Sequence, residues 1–280
     1  MQIATNSGLS GAGTIASPLA VSFGGNGSAS TAARSDHSHP PLLGEGRDNP
    51  ATSCAALLTA RPGLASNVYW IKPSTAAVPF RAYCDMMTDG GGWTLVWSNL
   101  RGRRGKPVTD LQWTAALRTA PLYAGDVSAD LESFMVYTGL MHWPSLAPHS
   151  LLRYSWANDY GSPIDQSYKC TFGFTGANYI LGLTGCTQLV GNVVPGLFSY
   201  HNNRPFSAYD RDNDAHPDLN CAAYHAGTPF WYHSCWSGSI NGGGETSGGA
   251  YSNGAHWSGS TGDWGLDNGT GAGNGWMFVK

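Results

Sequence analysis

Apolar and polar positions along the chain alternate in short runs broken by turn residues. Val68-Tyr-Trp-Ile71, Phe80-Arg-Ala-Tyr-Cys84 and Trp93-Thr-Leu-Val-Trp97 are rich in aromatic and β-branched residues and are bounded by Pro, Ser, Asp and Gly, the pattern of strands joined by turns. Leu151-Leu-Arg-Tyr-Ser-Trp156 predicts a further strand. Phe172–Phe174 and Tyr179–Leu183 are strand-like, and Cys170 and Cys186 bracket them as a bridge across a hairpin would. Gly275-Trp-Met-Phe-Val-Lys280 is an apolar run that suits a closing central strand. Helical spacing is rarer. Ser53-Cys-Ala-Ala-Leu-Leu-Thr-Ala60 has a capping Ser and ends before Pro62-Gly63, and Leu111–Arg118 is a second candidate helix.

The first part of the chain has a different texture. Residues 1–30 are mostly Gly, Ser, Ala and Thr with short apolar alternations, which cannot bury a core alone; they read as a linker or as a thin fibre completed by other copies. Gly25–Pro40 contains Ala33-Arg-Ser-Asp-His-Ser-His-Pro40, and this stretch resembles the segments of that form common in bacteriophage tail fibres, which are trimeric. In an extended chain His37 and His39 point the same way, so a threefold axis would gather them around one transition metal, Fe2+ or Zn2+; otherwise the pair lies in an exposed loop without a ligand. Pro40–Pro50 reads as a hinge. The expected organisation is an extended fibre or trimerisation segment over residues 1–50 and a globular head over 51–280.

Composition narrows the class. With 280 residues and 41% hydrophobic content the chain can build a large core. Its 38 Gly, 16 Pro, 11 Trp and 13 Tyr against 12% charged residues favour loop-rich structure with aromatic surfaces of the kind that bind sugars. A net charge of -3 offers no electrostatic footprint for nucleic acid or an anionic membrane. The six Cys are even in number and lack the close spacing of a zinc ribbon, so disulfides and an oxidising compartment are expected. Met1–Ser7 shows neither a basic start nor an apolar run, so no signal peptide or membrane insertion is expected at this terminus; the chain leaves by another route or belongs to a particle released by lysis.

The densest chemistry lies in Ser207–Tyr224 and on to Trp236. Asp210, Asp212 and Asp214 alternate, and a turn at His216-Pro217 follows, so several hard oxygens converge as a calcium ion requires. An acidic triplet of this kind is otherwise a solvated turn. It is not an EF-hand, since counting from Asp210 the sixth and twelfth positions are Ala215 and Cys221.

Asn220-Cys221-Ala222, Trp231-Tyr232, Cys235 and Ile240-Asn241-Gly242 follow in the order and approximate spacing that resembles the fibrinogen-like C-terminal domain. Val68–Ile71 and Phe80-Arg-Ala-Tyr-Cys-Asp-Met-Met-Thr-Asp-Gly-Gly-Gly-Trp-Thr-Leu95 resemble the upstream signature of that family. The likeness runs from about Cys54 to Lys280, more loosely through residues 100–200.

The resemblance implies an α+β fold with a central antiparallel sheet, short helices and a loop-rich calcium-binding subdomain. It implies disulfides Cys54–Cys84 and Cys221–Cys235; Cys170–Cys186 is not a general feature of the family. Calcium would take side-chain oxygens from Asp212 and Asp214 and carbonyls from about His216 and Asp218, with Asp210 supporting the loop. The ligand pocket of the family lies beside that loop, at a peptide bond that is often cis, here Ser234-Cys235, with Tyr232, Ser234, Trp236, Tyr251 and His256 as its lining. Two departures separate this chain from the family pattern. Trp236 stands where His is frequent, and the loop is one residue longer before its Cys, so the ligand need not be the acetyl group that ficolins and tachylectins bind.

No catalytic constellation appears. His201, His216, His225, His233 and His256 crowd the last third of the chain and Ser234 follows His233, but no nucleophile elbow is present and adjacent side chains point apart. Asn26-Gly-Ser28 and Asn268-Gly-Thr270 are formal glycosylation sequons and carry no weight in so Gly-rich a chain. The reading is a non-enzymatic, homotrimeric fibre tip, from a phage tail fibre or related injection particle, that attaches to a cell-surface glycan or receptor through a calcium-stabilised head. It would be extracellular or virion-associated. The alternatives are a capping or assembly module that docks on other particle proteins, and a secreted calcium-dependent lectin.

Overall fold

A computed structural model describes residues 41–100, 113, 117–157, 164, 166–191, 200–224, 229–235 and 274–280 in full, together with the backbone of a few short strands outside them. The chain divides into two compact units, Met1–Pro40 and Pro41–Lys280. In the first, β1 (Leu9–Ser10) pairs antiparallel with β2 (Ala20–Val21). His37 and His39 lie outside the described residues.

The second unit is an antiparallel sheet with short helices, the α+β architecture expected. Its first helix, α1 (Cys54–Ala60), begins where Ser53 turns its hydroxyl onto the backbone, Oγ accepting from the N–H of Ala56 at 3.1 Å. Strands β3 (Asn67–Ile71), β4 (Phe80–Asp85) and β5 (Trp93–Asn99) follow. The turn between β4 and β5 must pass close to α1, and glycine makes that possible. Gly92 has φ 80°, and a Cβ there would lie 3.0 Å from the Ala55 Cα of α1. The chain continues through β6 (Leu122–Ala124), β7 (Met135–Tyr137), a short helix at Trp143–Leu146, β8 (Leu151–Ala157), β9 (Gln166–Thr175) and β10 (Ile180–Val190). Trp113 is helical as expected, but that helix has ended by Leu117.

Five short strands follow a helix at Cys221–Tyr224: β11 (Gly238–Ser239), β12 (Gly244–Glu245), β13 (Tyr251–Ser252), β14 (His256–Gly259) and β15 (Gly262–Asp263). The last strand, β16 (Asn274–Val279), closes the main sheet, whose order is β10-β9-β8-β16-β5-β4-β3 with β7 and β6 branching from β5. A strand with neighbours on both edges and side chains covered on both faces is apolar almost throughout, which is why the C-terminal run was legible as a central one.

Between β5 and β16 the pairing passes from Trp97↔Met277 to Leu95↔Phe278, leaving Val96 as an extra residue in β5. Val96 and Trp97 thereby both enter the larger core, while Leu95 and Trp93 stay with Tyr83, Phe134, Trp276 and Phe278 on the other face. Trp97 is fully buried and meets Tyr137, Trp143, Phe206, Phe230 and Trp231 at centroid distances of 5.0–6.4 Å, mostly edge to face. This aromatic cluster joins the sheet to the loops that follow β10.

On the opposite face Arg153 of β8 is buried and pairs with Asp85 at 2.6 Å, its guanidinium lying over the rings of Phe278 and Trp93. Asp85 also accepts the backbone N–H groups of Met87 and Thr88 at 3.0 Å each. Burial drives its carboxyl upward, yet Arg153 and those N–H donors outweigh it and bring the pKa down to about 2.

All three expected disulfides are formed. Cys54–Cys84 ties α1 to β4, Cys170–Cys186 staples β9 to β10 across a register shift, and Cys221–Cys235 closes a loop after β10; the Cα separations are 5.5, 4.1 and 4.9 Å. Among the described residues no helix is long and apolar enough to cross a membrane.

Candidate functional site

Two loops meet beyond the sheet, and backbone hydrogen bonds join them. Ser207 and Phe230 exchange N–H···O bonds at 2.9 and 3.1 Å, and the N–H of Ala215 donates to the His233 carbonyl at 2.8 Å. Beneath the junction Trp231 is buried, stacked on Phe174 with an interplanar angle of 15°, and its indole Nε1–H donates to the Tyr179 carbonyl. The acidic loop and the disulfide loop are therefore one rigid piece resting on aromatic rings.

Within the acidic loop each side chain has a distinct task. Asp214 is the centre: Oδ1 accepts from the N–H of His216 and Oδ2 from the N–H of Cys221, both at 2.8 Å. Asp212 Oδ1 accepts from the N–H of Asp214 at 3.2 Å, an Asx turn that brings the two carboxylates together. Partial burial raises the Asp214 pKa, the negative Asp212 adds to it, and the Cys221 and His216 N–H groups oppose it. His216 Nδ1 accepts from the N–H of Asp218. Asp210, expected in support, reaches away from the pair and accepts from the N–H of Trp113 at 2.7 Å.

Asn213 supplies fixings that spacing alone did not suggest. Its N–H donates to Ser207 Oγ, its Nδ2 to the Phe206 carbonyl, and its Oδ1 accepts from Asn178 Nδ2. Asn178 Oδ1 accepts in turn from Arg211, whose guanidinium lies 4.1 Å from the centre of the Trp113 ring. Among the described residues no group of three or more His, Cys, Asp or Glu side chains converges tightly enough to hold a metal by side chains alone, so any ion at this loop would draw on backbone carbonyls.

At the disulfide loop the chain turns sharply. The Ser234-Cys235 peptide bond is trans, as are all those described, and the chain reverses because Cys235 itself takes the left-handed conformation at φ 58°. The His233 N–H reaches across this turn to the Cys235 carbonyl at 3.1 Å, so the reversal needs no cis bond. Tyr232 is buried against Phe230, and Ser234 is exposed. Trp236 lies outside the described residues. Of Tyr251 and His256 the backbone alone is described, in β13 opposite Glu245 and in β14 opposite Ser239.

Tyr200, which no pattern in the sequence marks, and His201 and His233, noted there only among scattered histidines, adjoin this loop. Tyr200 Oη donates to the Ser234 carbonyl at 3.0 Å and its ring lies 4.9 Å from that of His233. His201 is buried, with Nδ1 2.7 Å from the Trp231 carbonyl oxygen. Burial lowers its pKa to about 4, with His233 and Arg204 contributing and the Trp231 carbonyl opposing, so the ring is neutral at neutral pH. Burial and Arg204 also lower the pKa of His233.

This fold defines a disulfide-bonded, antiparallel-sheet head whose acidic and disulfide loops are hydrogen-bonded to one another. The sequence model for the C-terminal globular domain of fibrinogen beta and gamma chains matches residues 53–110 and 167–266, more than half of the chain, and the protein belongs to that family. Bovine microfibril-associated glycoprotein 4 is 29% identical over 226 residues, covering 72% of this chain and 78% of that protein. Mouse fibrinogen C domain-containing protein 1 is 31% identical over 193 residues, 62% of this chain and 36% of the relative. The match to the mouse fibrinogen alpha chain covers only 25% of that protein. In structure, the fibrinogen-like globe domain of human ANGPTL6 superposes with a TM-score of 0.60 at 22% identity, covering 85% of this chain and 97% of that one. A lamprey fibrin D-dimer solved with the peptide Gly-His-Arg-Pro-amide gives 0.58 at 20% identity, over 81% of this chain and 73% of that one.

Proposed function

We propose that this protein is the receptor-binding tip of a homotrimeric fibre, and that its head attaches without catalysis to a cell-surface glycan through the loop at Cys221–Cys235, held in shape by calcium. The observation that carries the binding site is the direct hydrogen bonding between the acidic loop and the disulfide loop, through Ala215–His233 and Ser207–Phe230. Calcium suits the acidic loop on the chemistry of its donors. Asp212 and Asp214 are drawn together by an Asx turn, and a dication of hard-oxygen preference would relieve the repulsion between two carboxylates held that close. Asp212 and Asp214 would hold it, with carbonyls from about His216 and Asp218; when bound it supplies charge that locks the loop.

Because Asp214 also accepts from Cys221, order in the acidic loop passes to the bridge and to Ser234 beyond it. The fibre part of the reading rests on Ala33–Pro40 and its likeness to tail-fibre segments, and on the β1–β2 pairing ahead of it. A trimer would present three weak sites to one surface and raise their apparent affinity.

Binding of the full chain to a glycan array, in calcium and in chelator, tests the reading. Attachment in calcium that is lost in chelator, and lost in an Asp212→Asn, Asp214→Asn variant that still folds, is expected. Attachment unaffected by chelator removes calcium from the account, and no attachment to any glycan leaves the assembly role as the better one.

A further inference from the structure

Strand β10 is an edge of the main sheet, and its two halves are held in different ways. In the inner half Leu181 and Leu183 are buried in the larger core, and the outer side of the backbone is covered. Leu181 donates its N–H to the Arg204 carbonyl at 3.1 Å, its carbonyl accepts from the N–H of Asn203 at 2.7 Å, and the Asn202 side chain clamps both backbone groups of Leu183. In the outer half Thr184–Gln188 and Val190 are exposed, so little apolar burial secures them. The ladder is interrupted there too. It passes from Thr184↔Thr171 to Thr187↔Lys169, which leaves Gly185 and Cys186 opposite the single residue Cys170 as a bulge, and it shifts again between Gln188 and Val190.

The Cys170–Cys186 bridge lies across that bulge, tying down a stretch that neither core packing nor an unbroken ladder holds. The three bridges differ in shelter. Cys54, Cys84 and Cys221 are fully buried and Cys235 is half-buried, whereas Cys186 is exposed; Gly185 beside it has φ 59°, with no atom within 4 Å of where its Cβ would stand. Cys186 is thus the cysteine most open to a thiolate in solution, and exposed disulfides are the readily reduced ones. What the bridge secures leads to the binding loop. Val190 stands ten positions before Tyr200, whose Oη donates to the Ser234 carbonyl at 3.0 Å. Tyr200 is therefore held from two sides, by the outer half of β10 ahead of it and by Asn202 on Leu183 behind it, and only the first hold depends on the bridge.

We propose that Cys170–Cys186 is a redox clasp: a dithiol reductant opens it ahead of the other two bridges, the outer half of β10 detaches, and the Tyr200–Ser234 contact slackens, weakening attachment. The effect on attachment rests on the glycan-binding reading above. The chemistry is thiol–disulfide exchange. One thiolate of the reductant bonds to Cys186 Sγ as the Cys170–Cys186 bond breaks, and the electron pair leaves on Cys170 Sγ, which takes a proton from water. The second thiolate of the reductant then attacks the mixed disulfide and releases Cys186, which is protonated in turn. The protein gains two electrons and two protons, and the reductant departs as its cyclic disulfide. Exchange with a small disulfide runs the same steps backwards and closes the clasp.

The test titrates the full chain in calcium buffer with mixtures of dithiothreitol and its oxidised form, then alkylates free thiols and maps the peptides. Cys170 and Cys186 should be alkylated at a reductant ratio at least about tenfold below that needed for the other four cysteines. At that ratio amide hydrogen exchange should quicken in Thr187–Val190 and in His233–Cys235, and stay unchanged in α1 and β3–β5. Attachment to the glycan array should weaken at least about threefold, and a Cys170→Ser, Cys186→Ser variant should bind like the reduced wild type and ignore the dithiol. Bridges that open together, or Cys221–Cys235 opening first, overturn the clasp. Exchange that quickens in β10 alone overturns its link to the binding loop, as does attachment that neither reductant nor variant alters. Silence across the array in the oxidised chain defeats the glycan reading, and alkylation and exchange then decide the clasp by themselves.

Discussion

Asp85→Asn isolates a single charge in the centre of the head. The Asn oxygen can still accept the N–H groups of Met87 and Thr88, so the turn after β4 keeps its hydrogen bonds and only the partner of Arg153 is lost. The Asp85 pKa falls from 3.8 to about 2, and at about 1.4 kcal/mol per unit this makes the ionised carboxylate worth about 2 kcal/mol of folding stability. Arg153 is 2% exposed, and removing one member of a buried pair generally costs about 3–5 kcal/mol. Its contacts with Phe278 at 4.1 Å and Trp93 at 4.9 Å survive and soften the loss, so about 3 kcal/mol at pH 7 is expected. For a head of this size that is a fall of roughly 6–12 °C in Tm. The pH dependence gives a second check. A depressed carboxylate pKa contributes stability that is complete above the unfolded value and disappears as pH falls through the folded one. The gap between wild type and variant should therefore be constant above about pH 5 and shrink between pH 3.8 and about 2. Thermal and denaturant melts across that range decide it. A gap below about 1 kcal/mol at pH 7, or one that is undiminished at pH 2, would refute the reasoning.

His201 supplies a second pH window: its folded pKa of about 4 lies below the ordinary 6.5, so wild type should lose about 3 kcal/mol as pH falls from 6.5 to 4, and His201→Gln should lose correspondingly less in matched melts. Coincident slopes for the two proteins would remove His201 from the account. Replacing Cys170 and Cys186 by Ser should cost about 2–3 kcal/mol by freeing the β9–β10 hairpin in the unfolded chain, while the other two bridges remain in non-reduced peptide maps. At the N-terminus, sedimentation should give a trimer carrying about one transition-metal ion per three chains, lost in a His37→Ala, His39→Ala variant; a monomeric wild type defeats the fibre reading.

By itself the sequence determined what depends on near neighbours. Alternation between turn residues placed β3, β4, β5 and β8, Ser53 marked the start of α1, and the unbroken apolar run Trp276–Val279 identified a strand covered on both faces, because each of these patterns is set within a few residues. The Asp212–Asp214 spacing was legible for the same reason. The three disulfides came from likeness to the family and from strand runs flanked by Cys, and the structure forms all of them. Tertiary structure alone decided the rest. The Trp97 cluster, the bulge at Val96 and the Asp85–Arg153 pair join residues from separate strands, and no local period encodes such contacts. Cys235 reverses the chain through its own left-handed backbone because the short bridge to Cys221 and the His233–Cys235 hydrogen bond fix the turn from outside. Tyr200 carries no sequence signal, and His201 stood only in a scatter of histidines. Tyr200 and His201 reach the disulfide loop because Ser234 and Trp231, some 30 positions later, fold back onto them, and that return is made by the aromatic core beneath.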